Sequence, residues 1–212
     1  MFYDVTVQAS KEKQPTMSSV PYLINYLIEN LQNEQTNNEA IEKLRASFLN
    51  SVKSRLEWII KEDSIPLRAA VLDPEYASLP FVDSKVKDKV YDSILKELTE
   101  KCTEKENTLY PTGNKSIETE LKELRVFFET KFKKDENYRG PLNWWKNFVG
   151  GSKFWPVVKK YLSIPCTSTP SERAFSCAGF LYDEKRANLE EDSVEKLVFI
   201  RENIEYLPVR LG

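Results

Sequence analysis

Apolar residues recur every three or four positions over most of the chain, the spacing of helices that bury one face. Val20, Leu23, Ile24, Leu27, Ile28 and Leu31 follow this spacing from Ser19, with Pro21 in the first turn, until the polar run 33–38 breaks it. Ile41, Leu44, Phe48, Val52, Leu56 and Ile59 then mark a longer helix over about 39–61, with Glu42, Lys43, Lys53 and Glu57 on its wet side. So short a connection predicts antiparallel packing of the two helices, with the apolar face of the second in the core. Ile65-Pro66 opens a short segment ending in Leu72-Asp73-Pro74-Glu75-Tyr76, where an aspartate before proline signals a turn or cap. Val86, Val90, Ile94 and Leu98 predict a helix over 83–102. Residues 104–115, EKENTLYPTGNK, combine charge, proline and Gly-Asn and read as a linker. Ahead of all this, residues 2–7 could form a strand. Nothing later offers a strand to pair with, so an arm or helix remnant is expected.

Beyond the linker, Ser116 caps a helix in which Ile117, Leu121, Leu124, Phe128 and Phe132 keep the helical period, and residues 137–141 break it. Pro141 starts a helix carrying Trp144 and Trp145, Gly150-Gly151 ends it, and Phe154-Trp155-Pro156 opens the next. These tryptophans, with Phe148, Phe154 and Tyr161, admit three readings. They could stack bases beside Lys146, Lys153, Lys159 and Lys160, anchor a protein interface, or fill a core. Core or interface is favoured, because tryptophan mainly buries area. In the stretch YLSIPCTSTPSERAFSCAG, over 161–179, Thr169 is a good N-cap, Pro170 suits the first helical position and Glu172 can reach back to complete a capping box. Ala174, Phe175, Cys177 and Ala178 add a small apolar surface before Gly179 ends the helix. Asp192 or Ser193 then caps a final helix whose Val194, Leu197, Val198, Ile204 and Leu207 form an apolar face, until Pro208 stops it.

Composition narrows the chemistry. At 212 residues the chain can bury a real core, as one large or two small domains. A net charge of -2 argues against bulk attraction to nucleic acid. No run approaches the roughly 20 apolar residues of a membrane span, and no signal peptide opens the sequence, so a soluble intracellular protein is expected. Cys102, Cys166 and Cys177 fall at no metal-ligand spacing and read as reduced core residues. Histidine is absent, which excludes Ser-His-Asp and Cys-His catalysis and imidazole metal sites within these residues. The acidic residues Asp183, Glu184, Glu190, Glu191 and Asp192 read as solvated surface and caps. No cofactor, metal or small-molecule substrate is expected.

Several motifs carry a family resemblance. Ile164-Pro165, Ser168, Pro170-Ser171-Glu172-Arg173, Phe175-Ser176, Ala178-Gly179, Lys185-Arg186, Leu189 and a closing Leu-x-Phe-Ile helix occur in order. Together they resemble the C-terminal region of the hAT superfamily of DNA transposases and of host proteins domesticated from them, some of which carry a BED-type zinc finger. Trp144-Trp145-Lys146 resembles the tryptophan motif of these proteins, and LRAAVLDPEYASLPF, over 67–81, their Leu-Asp-Pro segment. With TVQASKEKQPTMSSVPYL, over 6–23, the similarity extends over nearly the whole chain and over the back part of a family member. The resemblance implies an all-α helical bundle, corresponding to the end of the transposase insertion domain plus the C-terminal helices of an RNase H-like domain without its sheet. It divides the chain into an insertion-domain-like region over 1–103, a linker over 104–116 and a dimerisation-like region over 117–212. Where relatives commonly carry an arginine and a lysine after the Leu-Asp-Pro segment, Glu75 and Ala77 stand here, so a nucleic-acid contact at those positions is not expected.

By the same resemblance Glu172 matches the third acidic residue of a transposase site in which three carboxylates hold two divalent ions. One carboxylate cannot fix two ions, and the family's first two aspartates lie on strands before the region matched. Glu172 is therefore read as a helix cap, with no active catalytic residue expected. The expected function is a non-enzymatic association module, forming a homodimer or pairing with a related transposase-derived protein, since relatives dimerise through the region matching about 141–207. Trp144, Trp145, Trp155 and Phe175, with Val194, Leu197, Val198, Phe199 and Ile204 of the final helix, are the candidate interface residues. The alternative is a DNA-binding or transposase fragment with an incomplete nuclease site and weak DNA contact. The resemblance implies a nuclear location, with the cytoplasm as the other possibility and no membrane association.

Overall fold

A computed structural model describes residues 1–11, 14–34, 37–103, 116–149, 151–169, 171–173, 175–176 and 191–203, and every element among them is helical. The linker read over 104–115, and Ile204, Leu207 and Pro208, lie outside the described residues. The chain divides into two compact units, Met1–Cys166 and Thr167–Gly212.

The first unit is organised around α5 (Ile65–Val71), a short helix with Leu67, Ala69, Ala70 and Val71 all buried. A helix with so many buried positions belongs in the middle of a bundle, its two alanines let neighbours approach closely, and its one charge, Arg68, is paired with Asp63 at 2.5 Å. Ser64 starts it, accepting the Leu67 N–H at 3.4 Å while its own hydroxyl donates to the Ile59 carbonyl at 2.7 Å. Around α5 pack a 3-10 turn (Met17–Ser19), α2 (Val20–Asn33), α6 (Ser84–Thr103) and α9 (Trp155–Leu162). α2 turns Ile24, Leu27, Ile28 and Leu31 inward, α6 turns Val90, Ile94 and Leu98, and α7 (Ile117–Thr130) turns Leu121, Leu124 and Phe128, all at the expected spacing. Asp83 caps α6 through its carboxylate, which accepts the Lys85 N–H at 2.8 Å, and Ser116 caps α7 through the Thr119 N–H at 3.2 Å. The core of this unit thus draws on both sides of the stretch 104–115. The N-terminal arm is helical, as α1 (Phe2–Ala9).

One expectation fails plainly. α3 (Glu39–Leu56) has no buried residue, and Ile41, Leu44, Phe48 and Leu56 of its apolar face are exposed. α2 packs against α3 as well as against α5 and the 3-10 turn, yet the α3 side of that contact leaves no α3 residue buried, so α3 docks on α2 from outside the core. The Arg45 guanidinium fastens it there, donating to the Leu31 carbonyl near the end of α2 and to the Glu42 carboxylate. The helix also stops at Leu56, and α4 (Trp58–Lys61) follows as a separate turn with Trp58 exposed.

A second correction concerns the tryptophan helix, α8 (Pro141–Asn147), which ends before the glycines. Phe148 leaves the helix with extended backbone, and Gly151 is instead needed for close approach, since a Cβ there would lie 2.7 Å from the Trp145 carbonyl oxygen. Gly140, just before α8, takes a φ of 95°, a left-handed value that glycine adopts without strain.

In the second unit, residues 169, 171–173 and 175–176 are helical, and a final helix covers Glu191–Asn203. Thr169 is therefore inside its helix and not its cap. The cap is Ser168, whose carbonyl accepts the Glu172 N–H at 2.9 Å and whose hydroxyl donates to the Glu172 carboxylate. Serine and threonine cap comparably well, and the one-residue shift puts Glu172 a full turn beyond the cap, within reach of its hydroxyl. Asp192 and Ser193 likewise lie within the final helix, which already runs at Glu191.

Candidate functional site

The aromatic cluster between α7 and α8 separates into supporting and outward-facing residues. Trp145 is buried, its indole N–H donates to the Leu72 carbonyl at 2.7 Å, and its ring meets Phe128 and Phe154 at 6.0 and 5.5 Å. It ties α8 to the end of α5 and offers no face to a partner. Trp144, next in sequence but about 100° round the helix, is half-buried on the outer side. Phe148 stacks on one side of it at 4.9 Å and 13°, and Phe127 lies near-parallel at 6.2 Å and 25°. With Phe148 stacked on it, one face of Trp144 is closed to a base, which weighs against the stacking reading. Trp155 is half-buried with the Lys159 ammonium 5.2 Å from its ring centre.

Trp144, Phe148, Phe127 and the almost fully exposed Val149 form a ridge between two hollows of about 710 and 400 Å³. The larger is edged by Lys131, Lys133 and Arg139, which form no ion pair among the described residues, and the smaller by Glu120 and Glu123. Asp135 also lines the larger hollow and Glu120 pairs with Lys153 at 2.6 Å, so the ridge has a mixed polar rim, and an apolar ridge with a polar rim suits a protein surface. The sequence reading marked Trp144 and Phe148 but not Phe127, and the larger hollow depends on the turn 131–140 between the two helices.

That turn is held by a residue the sequence identified only as a turn signal. Asp73 is buried, accepts the Glu75 N–H at 3.1 Å as expected of an Asp-Pro turn, and also accepts the Ser18 hydroxyl at 2.7 Å and the Tyr138 hydroxyl at 3.2 Å. It thereby joins the 3-10 turn, the end of α5 and the wall of the larger hollow. Burial pushes its carboxyl up to about 6, with the hydrogen bonds from Ser18, Glu75 and Tyr138 opposing that rise. The same burial, beside the Asp73 and Glu75 charges, raises the Tyr138 phenol so that it remains a donor. Glu75 itself pairs with Lys134 of that turn at 2.8 Å.

In the second unit, Glu172 is exposed and bonded only to its cap, Ser168, among the contacts described. No group of three Cys, Asp or Glu residues that could hold a metal occurs among the described residues. On the final helix Leu197 and Ile200, three residues apart, are both exposed, Phe199 is exposed on a neighbouring side and Val198 is half-buried. Phe175 is also exposed. The side chain of Val194, and Ile204 as a whole, lie outside the described residues.

Residues 123–204 match the hAT family C-terminal dimerisation region. The chain thus carries a hAT transposase-derived C-terminal region. The match takes in the second turn of α7 onward, the Trp144 ridge, α9, Glu172 and the final helix. Comparison of the chain with curated proteins gives no match. No helix among the described residues is long and apolar enough to cross a membrane.

Proposed function

We propose that the hAT-derived chain is a non-enzymatic dimerisation module, which joins two copies of itself or one copy to a related transposase-derived protein. The observation that carries this reading is the match of residues 123–204 to a dimerisation region, within which Val126, Phe127, Val149, Leu197 and Ile200 are exposed apolar side chains. Apolar surface held in water is worth about 25 cal/mol per Å² when a partner covers it. Glu172 supports the non-enzymatic half of the reading, because its carboxylate serves as a helix-cap partner and a single carboxylate cannot position two metal ions. Kinship with transposases supports a nuclear location.

The test is Leu197→Asp with Ile200→Asp, followed by light scattering over a concentration series. Both side chains are exposed, so the changes leave helix content by circular dichroism unaltered. The expected result is a parent at twice the 24.7 kDa chain mass and a variant at the single-chain mass. A variant that keeps the parent mass refutes the assignment of the final helix.

A second reading, residual DNA contact, rests on the basic edge formed by Lys131, Lys133 and Arg139. It requires that the parent bind duplex DNA at ~0.15 M salt and that changing all three to Glu abolish binding. A parent that does not bind removes it.

A further inference from the structure

The larger hollow beside the Trp144 ridge combines an aromatic floor with charge that the described chain leaves unneutralised. Lys131, Lys133 and Arg139 edge it, all three exposed, and none forms an ion pair among the described residues. Asp135, a carboxylate on the same edge, accepts the Asn137 N–H at 2.9 Å. Three cations against this one carboxylate make the hollow locally positive on a chain whose net charge is -2. The floor is apolar and held in place. Phe132 meets Tyr138 edge-on at 5.5 Å and Phe128 at 6.5 Å, Trp144 and Phe148 are stacked, and the Tyr138 hydroxyl is anchored on the buried Asp73 carboxylate. At about 710 Å³ the hollow has room for a few side chains.

We propose that this hollow docks an acidic segment of a partner protein, whose apolar or aromatic side chain enters beside Phe132, Tyr138 and Trp144 while flanking carboxylates meet Lys131, Lys133 and Arg139. Shape and charge select the same occupant. A concave aromatic floor is filled by a projecting apolar side chain, which supplies most of the affinity. The basic rim attracts carboxylates and sets the direction in which the segment lies. Because Asp73 already fixes the Tyr138 wall, little ordering of the site opposes binding. A DNA duplex fits less well: its phosphates reach the rim, but its broad convex backbone leaves the floor in water, and one face of Trp144 is closed to a base by Phe148. The hollow is built from α7, α8 and the turn between them, so this reading does not rest on self-association through the final helix.

The experiment is fluorescence anisotropy on the full chain with a labelled peptide in which a Phe-Leu pair is flanked on each side by four Asp or Glu residues. The expected result is saturable binding at ~0.15 M salt. Lys131→Glu/Lys133→Glu/Arg139→Glu should weaken it at least about tenfold, with helix content unchanged because all three residues are exposed. Replacing Phe-Leu of the peptide with Ala-Ala should also weaken it at least about tenfold, and this comparison leaves the protein untouched. No binding, or equal binding of the Ala-Ala peptide, overturns the proposal, the latter because charge alone then accounts for the contact. Displacement of the peptide by duplex DNA that itself binds at least as tightly overturns it in favour of a nucleic-acid contact. A peptide that lowers the parent to the single-chain mass in light scattering shows that a second copy covers the hollow, and the proposal falls. The Leu197→Asp/Ile200→Asp protein should bind the peptide as the parent does, which separates this outcome from that of the dimerisation reading; a loss of binding there overturns the assignment to this hollow.

Discussion

Replacing Asp73 with Asn tests whether the buried carboxylate carries a measurable electrostatic cost. The group is 1% exposed, and burial lifts it from 3.8 to about 6 in the folded protein. Because the folded state holds this proton more tightly than the unfolded chain, the contribution of Asp73 is most favourable below the unfolded value and is lost as pH rises through the folded one. A displacement from 3.8 to about 6 corresponds to about 3 kcal/mol between pH 4 and pH 7. The sequence contains no histidine, so an imidazole cannot produce a change of stability in that window. Asparagine keeps the shape and a carbonyl oxygen that can accept from Ser18 or the Glu75 N–H, but it does not titrate. Urea unfolding followed by tryptophan fluorescence, run from pH 4.5 to 7.5 on both proteins, gives the stability difference at each pH. The parent should lose stability relative to Asp73→Asn as pH rises to about 6.5 and hold a constant difference above it. A flat difference, or one that rises with pH, refutes the burial argument and shows that the three donors outweigh desolvation.

Two further substitutions test the division between supporting and outward-facing residues. Trp145→Phe retains most of the buried ring but leaves the Leu72 carbonyl without its 2.7 Å donor, and should cost about 1–3 kcal/mol in urea unfolding; Trp144→Ala should cost less stability than Trp145→Ala, and the reverse order would refute the assignment. Gly151→Ala places a Cβ 2.7 Å from the Trp145 carbonyl oxygen and should destabilise by roughly 1–3 kcal/mol through the forced backbone shift, read as a lower thermal midpoint; an unchanged midpoint would show that the turn relaxes freely.

The helices α2, α6 and α7 were legible because their apolar spacing both exists and is used: the residues at the predicted positions are the ones that turn inward. α3 has the same kind of spacing and is not used that way. Periodicity reports that one side of a helix differs from the other; it does not say whether this chain or another covers that side, and α2 has only one apolar face to offer. Asp73 was legible as a turn through its neighbour Pro74, yet its burial depends on Ser18 and Tyr138, which lie 55 and 65 residues away in sequence. Local pattern carries no information about partners so distant. The aromatic ridge sits between these cases. Adjacent tryptophans must point about 100° apart on a helix, so one of the pair was bound to face away from the core, but which one depended on where the Leu72 carbonyl lay. The Glu75–Lys134 ion pair follows the same logic. Sequence shows an acid at position 75, and only the fold shows that it pairs with Lys134, 59 residues away. Leu197 on the final helix repeats the case of Ile41, Leu44 and Phe48: its spacing calls for a covered side, and among the described residues it is exposed.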